Sequence, residues 1–512
     1  MQTRNAYHRL YHCTEMRSIP KLVTCGVFTC GCIVLYSHFL QDSFTSKTLS
    51  SLKRPNIVFI LADDLGWSDV GFNNPSVITP NIDKLAREGV ILNQSYAAQS
   101  CSPSRAALMS GYYPYRLHFE TQLGIYFPHG LQLNLTLLPG RMKELGYSTY
   151  MVGKWNLGFC KEAYTPNRRG FDKFYGFYLA TGDHYEHSHA GYLDLHDNMD
   201  PDRTKSGIYS TYLYTDKAVE FIEDHDKTNP MFLYVAYQSV HTPVQVPQKY
   251  FDMYPSMKNE TRRTLLGMVS AIDDGVAKIV EALKQNGMWK NTLIVFSSDN
   301  GGAQSAISQS SNWPLLGSKL QLFEGGTRVV GFVHGDMLPN SGYRYNGMIH
   351  FVDWYPTLVG LAGGEITDPE VDGIDVWRAL STNAPSPRKE FVYNVIDQPF
   401  LCEAIRVDDY KLIKGACGEY ACRVPPIEMD GKLGDPYCFV SWRPDSIYLY
   451  NLKDDPTEHH NLAEKMPKKV QKLTERLEEY KRKFVPSFST DDTRVKQGRP
   501  NNFGGVYSPG WC

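Results

Sequence analysis

Net charge is nearly absent from this sequence: 53 Lys and Arg face 55 Asp and Glu, which leaves −2 at neutral pH. No basic field exists to draw in nucleic acid, so charge excludes that partner. Internal repeats and low-complexity tracts are also missing, which excludes a solenoid and a disordered body. No cysteine and histidine spacing of a structural zinc site occurs. The one histidine-rich stretch, Asp183-His184-Tyr185-Glu186-His187-Ser188-His189, reads as a surface loop near a cleft rather than a second metal site. The basic run Lys465 to Lys472 reads as a solvated helix face.

What is present is the composition of a loop-rich globular protein, 42% hydrophobic and 13% aromatic, with 41 Gly and 30 Pro. A chain of 512 residues exceeds what one hydrophobic core supports. The pattern divides it into an N-terminal targeting segment and stem (residues 1–50), a main domain (51–390) and a smaller C-terminal subdomain (391–512). In the first part, Arg4, Arg9, Arg17 and Lys21 precede an apolar run from Leu22 to Leu40. That run is long enough to span a bilayer and lacks a small-residue cleavage site, so it reads as a signal anchor. The basic residues before it leave the body of the protein in the lumen of the secretory pathway, as a lysosomal, Golgi or extracellular protein.

Four of the 11 cysteines precede or lie in that segment. Seven remain: Cys101, Cys160, Cys402, Cys417, Cys422, Cys438 and Cys512. In an oxidising compartment six can form three disulfides and one is left for other work; Cys101 is the candidate for the odd one, and Cys512 is expected to pin the C-terminal tail. Sequons at Asn93, Asn134 and Asn259 fit the same route, although Asn93 lies too near Cys101 to be a good acceptor.

Four apolar runs, Asn56 to Ala62, Tyr147 to Val152, Met231 to Ala236 and Thr292 to Ser298, lack clean alternation, as do strands buried on both faces of a parallel sheet. Helical patterns lie between them. Thr79-Pro80 opens one that ends at Gly89, and Leu265 to Leu283 presents one apolar face before Asn286-Gly287. The alternation predicts an α/β fold with a large, mostly parallel central sheet flanked by helices, and a smaller α+β part behind it. In that part Tyr448-Leu449-Tyr450 reads as a strand, and the helix after Pro467 carries a docking stripe of Val470, Leu473, Leu477 and Tyr480.

The residues after the four strands are Asp63-Asp64, Lys154, His241 and Asp299-Asn300. Ligands of open parallel sheets bind beyond the carboxyl ends of the strands. Three carboxylates and an amide make a hard, oxygen-only site suited to calcium or magnesium. In Cys101-Ser102-Pro103-Ser104-Arg105, Pro103 suits a first helical turn, which puts Cys101 at a helix N-terminus beside a planar cation: a cradle for an oxyanion. On physics alone, a reactive low-pKa thiol and a structural cysteine are equally compatible.

Cys101-x-Pro103-x-Arg105 followed by Ala106-Ala107-Leu108-x-Ser110-Gly111 resembles the signature of the sulfatase family. Pro55 to Gly66, Gly153-Lys154-Trp155, Gln238 to Pro243, Ser298 to Gly302, Asn312 to Leu315 with Lys319, and Asp454 to Glu458 resemble the family in the same order. Within the family the chain is most similar to the arylsulfatase branch that removes the 4-sulfate of N-acetylgalactosamine. The resemblance implies an alkaline-phosphatase-like fold and hydrolysis of a sulfated carbohydrate or aryl sulfate. It also implies that a formylglycine-generating enzyme converts Cys101 to formylglycine, and that Asp63, Asp64, Asp299 and Asn300 bind one calcium ion together with residue 101. Arg105, Lys154 and Lys319 would contact that residue or the sulfate, and His241 would serve the leaving group. The sequence departs from the family at Asn156, where an amide stands in place of a histidine that can accept a proton. The departure predicts a slower enzyme, and raises a second reading, a catalytically weak sulfoglycan-binding homologue.

Overall fold

The computed structural model describes residues 54–397, 401–418, 420–425, 437–441, 443–486 and 495–512. The expected targeting segment, with its Leu22 to Leu40 run, lies outside them. Among the described residues no helix is long and apolar enough to cross a membrane.

The main layer contains strands β1 (Asn56–Ala62), β2 (Val90–Leu92), β3 (Ser148–Lys154), β4 (Lys173–Phe177), β5 (His196–Asp197), β6 (Asp200–Pro201), β7 (Met231–Ala236), β8 (Thr292–Ser298), β9 (Gly331–His334) and β10 (Tyr343–Tyr345). Helices α1 (Pro80–Glu88), α2 (Cys101–Ser110), α3 (Ser210–Glu223) and α4 (Glu260–Gln285) accompany them. The strand order is β10-β2-β9-β8-β1-β7-β3-β4-β5-β6. Its centre, β8-β1-β7-β3-β4, is parallel throughout, while β9 against β8 and β2, and β5 against β4 and β6, are antiparallel. The edge pair β10-β2 is parallel as well, so the sheet is mixed and, as expected, more parallel than antiparallel. At the β5/β6 edge only two residues join the strands, too few for the crossover that parallel pairing needs. The four sequence-derived runs are four of the five strands of that parallel centre.

Every residue of β1 is buried because both faces of the sheet are covered, which is why its alternation is missing. Val58 and Ile60 meet Ile82, Leu213, Leu265 and Ile272 of α1, α3 and α4 on one face. Ile57, Phe59 and Leu61 share the other core with Ala106, Leu108 and Met109 of α2. Helix α1 ends as expected at Gly89, whose N–H donates to Leu85 O at 2.9 Å; a Cβ there would sit 2.2 Å from Val333 O of β9, so only glycine fits.

Behind the second core lies a smaller antiparallel sheet, β11 (Glu390–Ile396), β12 (Cys402–Val407), β13 (Tyr410–Gly415) and β14 (Ile447–Asn451), ordered as numbered. Helix α5 (Pro467–Lys481) docks on it through buried Leu473 and Leu477. The same apolar cluster runs from Phe59 to Phe391, Leu412 and Leu449. Disulfides join Cys160 to Cys512, Cys402 to Cys417 and Cys422 to Cys438. Cys101 is left free and buried, the odd cysteine of the sequence reading, and Cys512 does pin the tail.

Candidate active site

The carboxyl ends of β1, β3, β7 and β8 meet at one edge of the sheet. Asp63 N–H donates to Ser239 O at 3.0 Å, Val240 N–H to Asp63 O at 2.7 Å and Asp299 N–H to Ala62 O at 3.1 Å, which locks the three strand ends together. Asp64 adopts a left-handed backbone, φ 62°, a region that Asp and Asn tolerate better than most residues. Its N–H donates to Asp299 Oδ1 at 3.2 Å.

Helix α2 points its N-terminus at this edge. Cys101 is its first residue and all ten of its residues are buried. The Cys101 thiol donates to Asp63 Oδ1 at 3.2 Å. Burial, together with Asp299 and Asp63, pushes its pKa well above the ordinary thiol value, so the thiol stays protonated and the low-pKa reading loses its basis.

Cations interleave with the carboxylates. Arg105 donates from Nε and Nη2 to Asp299 Oδ2 at 3.0 and 2.8 Å, and from Nη1 to Lys154 O at 2.7 Å. Lys154 Nζ reaches Asp63 Oδ2 at 2.7 Å and Lys319 Nζ reaches Asp64 Oδ2 at 2.8 Å. Burial raises the Asp64 pKa, but Lys319, His241 and Lys154 outweigh it and hold the carboxyl below the usual range. His241 Nδ1 faces Thr242 O at 2.8 Å and so carries the hydrogen, while Nε2 lies 3.7 Å from Asp64 Oδ2. Burial lowers its pKa to about 4 despite Asp64, with Lys319 and Lys154 adding to the fall; the imidazole is neutral at pH 7.

Among the described residues, one group of acidic, histidine and cysteine side chains could hold a metal ion: Asp63, Asp64, Cys101 and His241, whose ligand atoms lie within 4.8 Å of one another. Asn300 adjoins it, donating from Nδ2 to Asp64 Oδ1 at 2.8 Å, while its buried Oδ1 accepts no hydrogen bond. An amide oxygen without a hydrogen bond beside two buried aspartates offers the oxygen donors that a hard cation takes. Asp299 lies against Asp64, with its oxygens engaged by Arg105 and the Asp64 N–H.

The structure brings the positions named from the sequence together at one sheet edge, with supports that the sequence reading did not name. Ser298 Oγ donates to Asn300 O at 2.8 Å and accepts from Leu65 N–H at 2.9 Å. Ser102 and Gln122 both donate to Asn156 Oδ1, at 2.8 and 3.0 Å; Asn156 has φ 57°. Gln122 lies in a loop without any motif, so nothing in the sequence marks it. The histidine-rich stretch is not a plain surface loop. His184 is fully buried, with Nε2 3.1 Å from His241 O and Nδ1 2.7 Å from Ser210 Oγ, so it braces the segment that carries His241. Glu458, at the end of the Asp454 to Glu458 stretch, is buried and accepts from Glu324 N–H at 2.8 Å.

A family model described as Sulfatase matches residues 55–364. Mouse arylsulfatase J is 39% identical over 496 residues, which cover 89% of this chain and 80% of the relative. Mouse N-acetylgalactosamine-6-sulfatase is 33% identical over 365 residues, 66% of this chain and 68% of the relative. Among solved structures, that of Ps i-CgsB in complex with k-i-k-neocarrahexaose superposes with a TM-score of 0.74 at 30% identity, covering 86% of this chain and 96% of that one. The match of the family model over more than half of the chain, on the strands and helix that carry these side chains, makes this protein a member of the sulfatase family, enzymes that hydrolyse sulfate esters.

Proposed function

We propose that this protein removes the sulfate of a sulfated sugar, such as N-acetylgalactosamine 4-sulfate, with residue 101 acting in its formylglycine form and one calcium ion held by Asp63, Asp64, Asp299, Asn300 and residue 101. The observation that carries the reading is the position of Cys101: the free, buried cysteine at the N-terminus of α2, 3.2 Å from Asp63, with Arg105, Lys154 and Lys319 paired to Asp299, Asp63 and Asp64 around it. The names of the relatives, and the neocarrahexaose in complex with Ps i-CgsB, support a carbohydrate substrate.

A formylglycine at residue 101 would supply a hydrated aldehyde whose hydroxyl attacks sulfur, and calcium would supply positive charge to the sulfate oxygens. The chain's own residues do the rest. Lys154 and Lys319, now neutralising Asp63 and Asp64, stand beside the incoming anion and stabilise charge as it shifts to the leaving oxygen. Arg105 stays with Asp299 and fixes helix α2 against the ends of β3 and β8. His241 is neutral in the free protein; a bound sulfate beside Nε2 favours its protonated form, which can then hand a proton to the departing alcohol. Regeneration of the aldehyde needs a base, and Asn156 cannot be one. That observation favours the second reading, a sulfoglycan binder with weak turnover.

Three disulfides in the described residues support folding in the secretory lumen, where a formylglycine-generating enzyme would meet the chain. Asn134 is exposed, whereas Asn93 is partly buried with Nδ2 donated to Asn346 at 2.8 Å, so Asn134 is the better glycan acceptor. The experiment is release of inorganic sulfate from N-acetylgalactosamine 4-sulfate, its 6-sulfate and a nitrophenyl sulfate, with and without calcium. Calcium-dependent release from a sulfated sugar is expected. Calcium-dependent binding of a sulfated oligosaccharide without release would establish the second reading, and release of phosphate from phosphate esters alone would overturn both.

A further inference from the structure

The amide of Asn156 has one orientation, and backbone groups that cannot turn impose it. Leu123 N–H donates to Ser102 Oγ at 3.0 Å, which leaves the Ser102 hydroxyl hydrogen for Asn156 Oδ1 at 2.8 Å. Ser102 N–H faces Gln122 Oε1 at 3.4 Å, so Gln122 turns its Nε2 toward the same Asn156 Oδ1, at 3.0 Å. Two donors saturate the lone pairs of that oxygen. Rotating the amide would set its N–H against the Gln122 N–H. The remaining polar end, Nδ2 with two hydrogens, makes no hydrogen bond among the described residues, although Asn156 is only 2% exposed. Ser102 follows the nucleophile position directly in α2, so the Asn156 amide is bonded to the residue beside that position.

We propose that Asn156 is an N–H donor to the bound sulfate and that Gln122 is the positioning residue that keeps it in that role. The inference rests on the sulfatase reading above. It assigns a purpose to the residue that departs from the family: a fixed donor to the anion replaces a group able to accept a proton. Gln122 acts only through Asn156, and this dependence is what makes the proposal testable.

Inorganic sulfate is titrated calorimetrically into the calcium-loaded protein, its Asn156→Leu and Gln122→Met variants and the double variant, with thermal midpoints recorded beside them. A hydrogen bond to a charged group is worth about tenfold or more in affinity. Asn156→Leu is therefore expected to weaken sulfate binding by about tenfold and Gln122→Met by less. The double variant should bind no worse than Asn156→Leu alone, because one residue acts through the other. If the two losses multiply, or if neither variant loses affinity, the assignment is overturned. Should Asn156→Leu fail to fold, Asn156→Ser, which keeps a small polar side chain, serves in the same cycle. Wild-type protein that neither binds sulfate nor releases it from any ester would overturn the sulfatase site itself, an outcome distinct from unchanged variants of an active enzyme.

Discussion

Arg105 turns Nε and Nη2 onto a single oxygen of Asp299, at 3.0 and 2.8 Å, and both side chains are buried. Removing one partner of such a pair leaves the other charge uncompensated, at a cost of about 3–5 kcal/mol. Arg105→Ala is expected to lose stability of that order in calcium-free buffer, measured by denaturant unfolding. Arg105→Met combined with Asp299→Leu should lose less than the sum of the single changes. Additive losses would mean that the two side chains stabilise the fold independently.

At Asn156 the expected gain comes from restoring a base. General base catalysis is worth roughly 10² to 10⁴ in rate, so Asn156→His should raise kcat on a nitrophenyl sulfate by at least about tenfold. An unchanged kcat would show that water or another side chain already takes the proton.

Calcium should act on stability as well as on rate. A ligand that binds only the folded state at about one hundred times its Kd adds about 2.7 kcal/mol. Calcium should therefore raise the thermal midpoint, a chelator should reverse the rise, and Asp64→Asn should abolish it. A midpoint indifferent to calcium in the wild-type protein would rule out a calcium site at these residues.

Much of this was legible in the sequence, for physical reasons. Strands buried on both faces announce themselves as unbroken apolar runs, so β1, β7 and β8 were located to the residue and β3 to within two. The polar residues just after them fall at the sheet edge by topology alone, which is how Asp63, Lys154, His241 and Asp299 were found. Short elements gave no such signal. The two-residue strands β5 and β6 have no periodicity to read, and β9 carries nothing that fixes its direction. These are the strands that add antiparallel pairs to the expected mostly parallel sheet. The burial of His184 was equally hidden, because a polar histidine stretch looks solvated until Ser210 and the His241 carbonyl are brought to it.

The family resemblance at Glu458 likewise acquires a cause only in three dimensions. Lys411 Nζ lies 2.9 Å from Glu324 Oε1 and 2.8 Å from Glu458 Oε1, all of them buried. Burial pushes the Glu458 carboxyl up to about 7 and Glu324 adds to the rise, against the pull of Lys411. A carboxyl raised on folding binds more protons in the folded state than in the unfolded one. Its stabilisation is therefore complete below the ordinary glutamate range and is lost as pH rises through about 7. Glu458→Gln, which stays neutral, should flatten the decline of thermal midpoint between pH 5 and pH 8. Parallel pH profiles for variant and wild type would contradict this.

Whether Cys101 serves as formylglycine decides the mechanism, and the mass of the peptide carrying residue 101 reads it out. The peptide is taken from protein made in secretory-pathway cells, with turnover of an aryl sulfate measured on the same preparation. The aldehyde mass is expected in the active fraction, and its loss together with activity in Cys101→Ala. Full activity in protein whose residue 101 is unmodified cysteine would contradict the assignment.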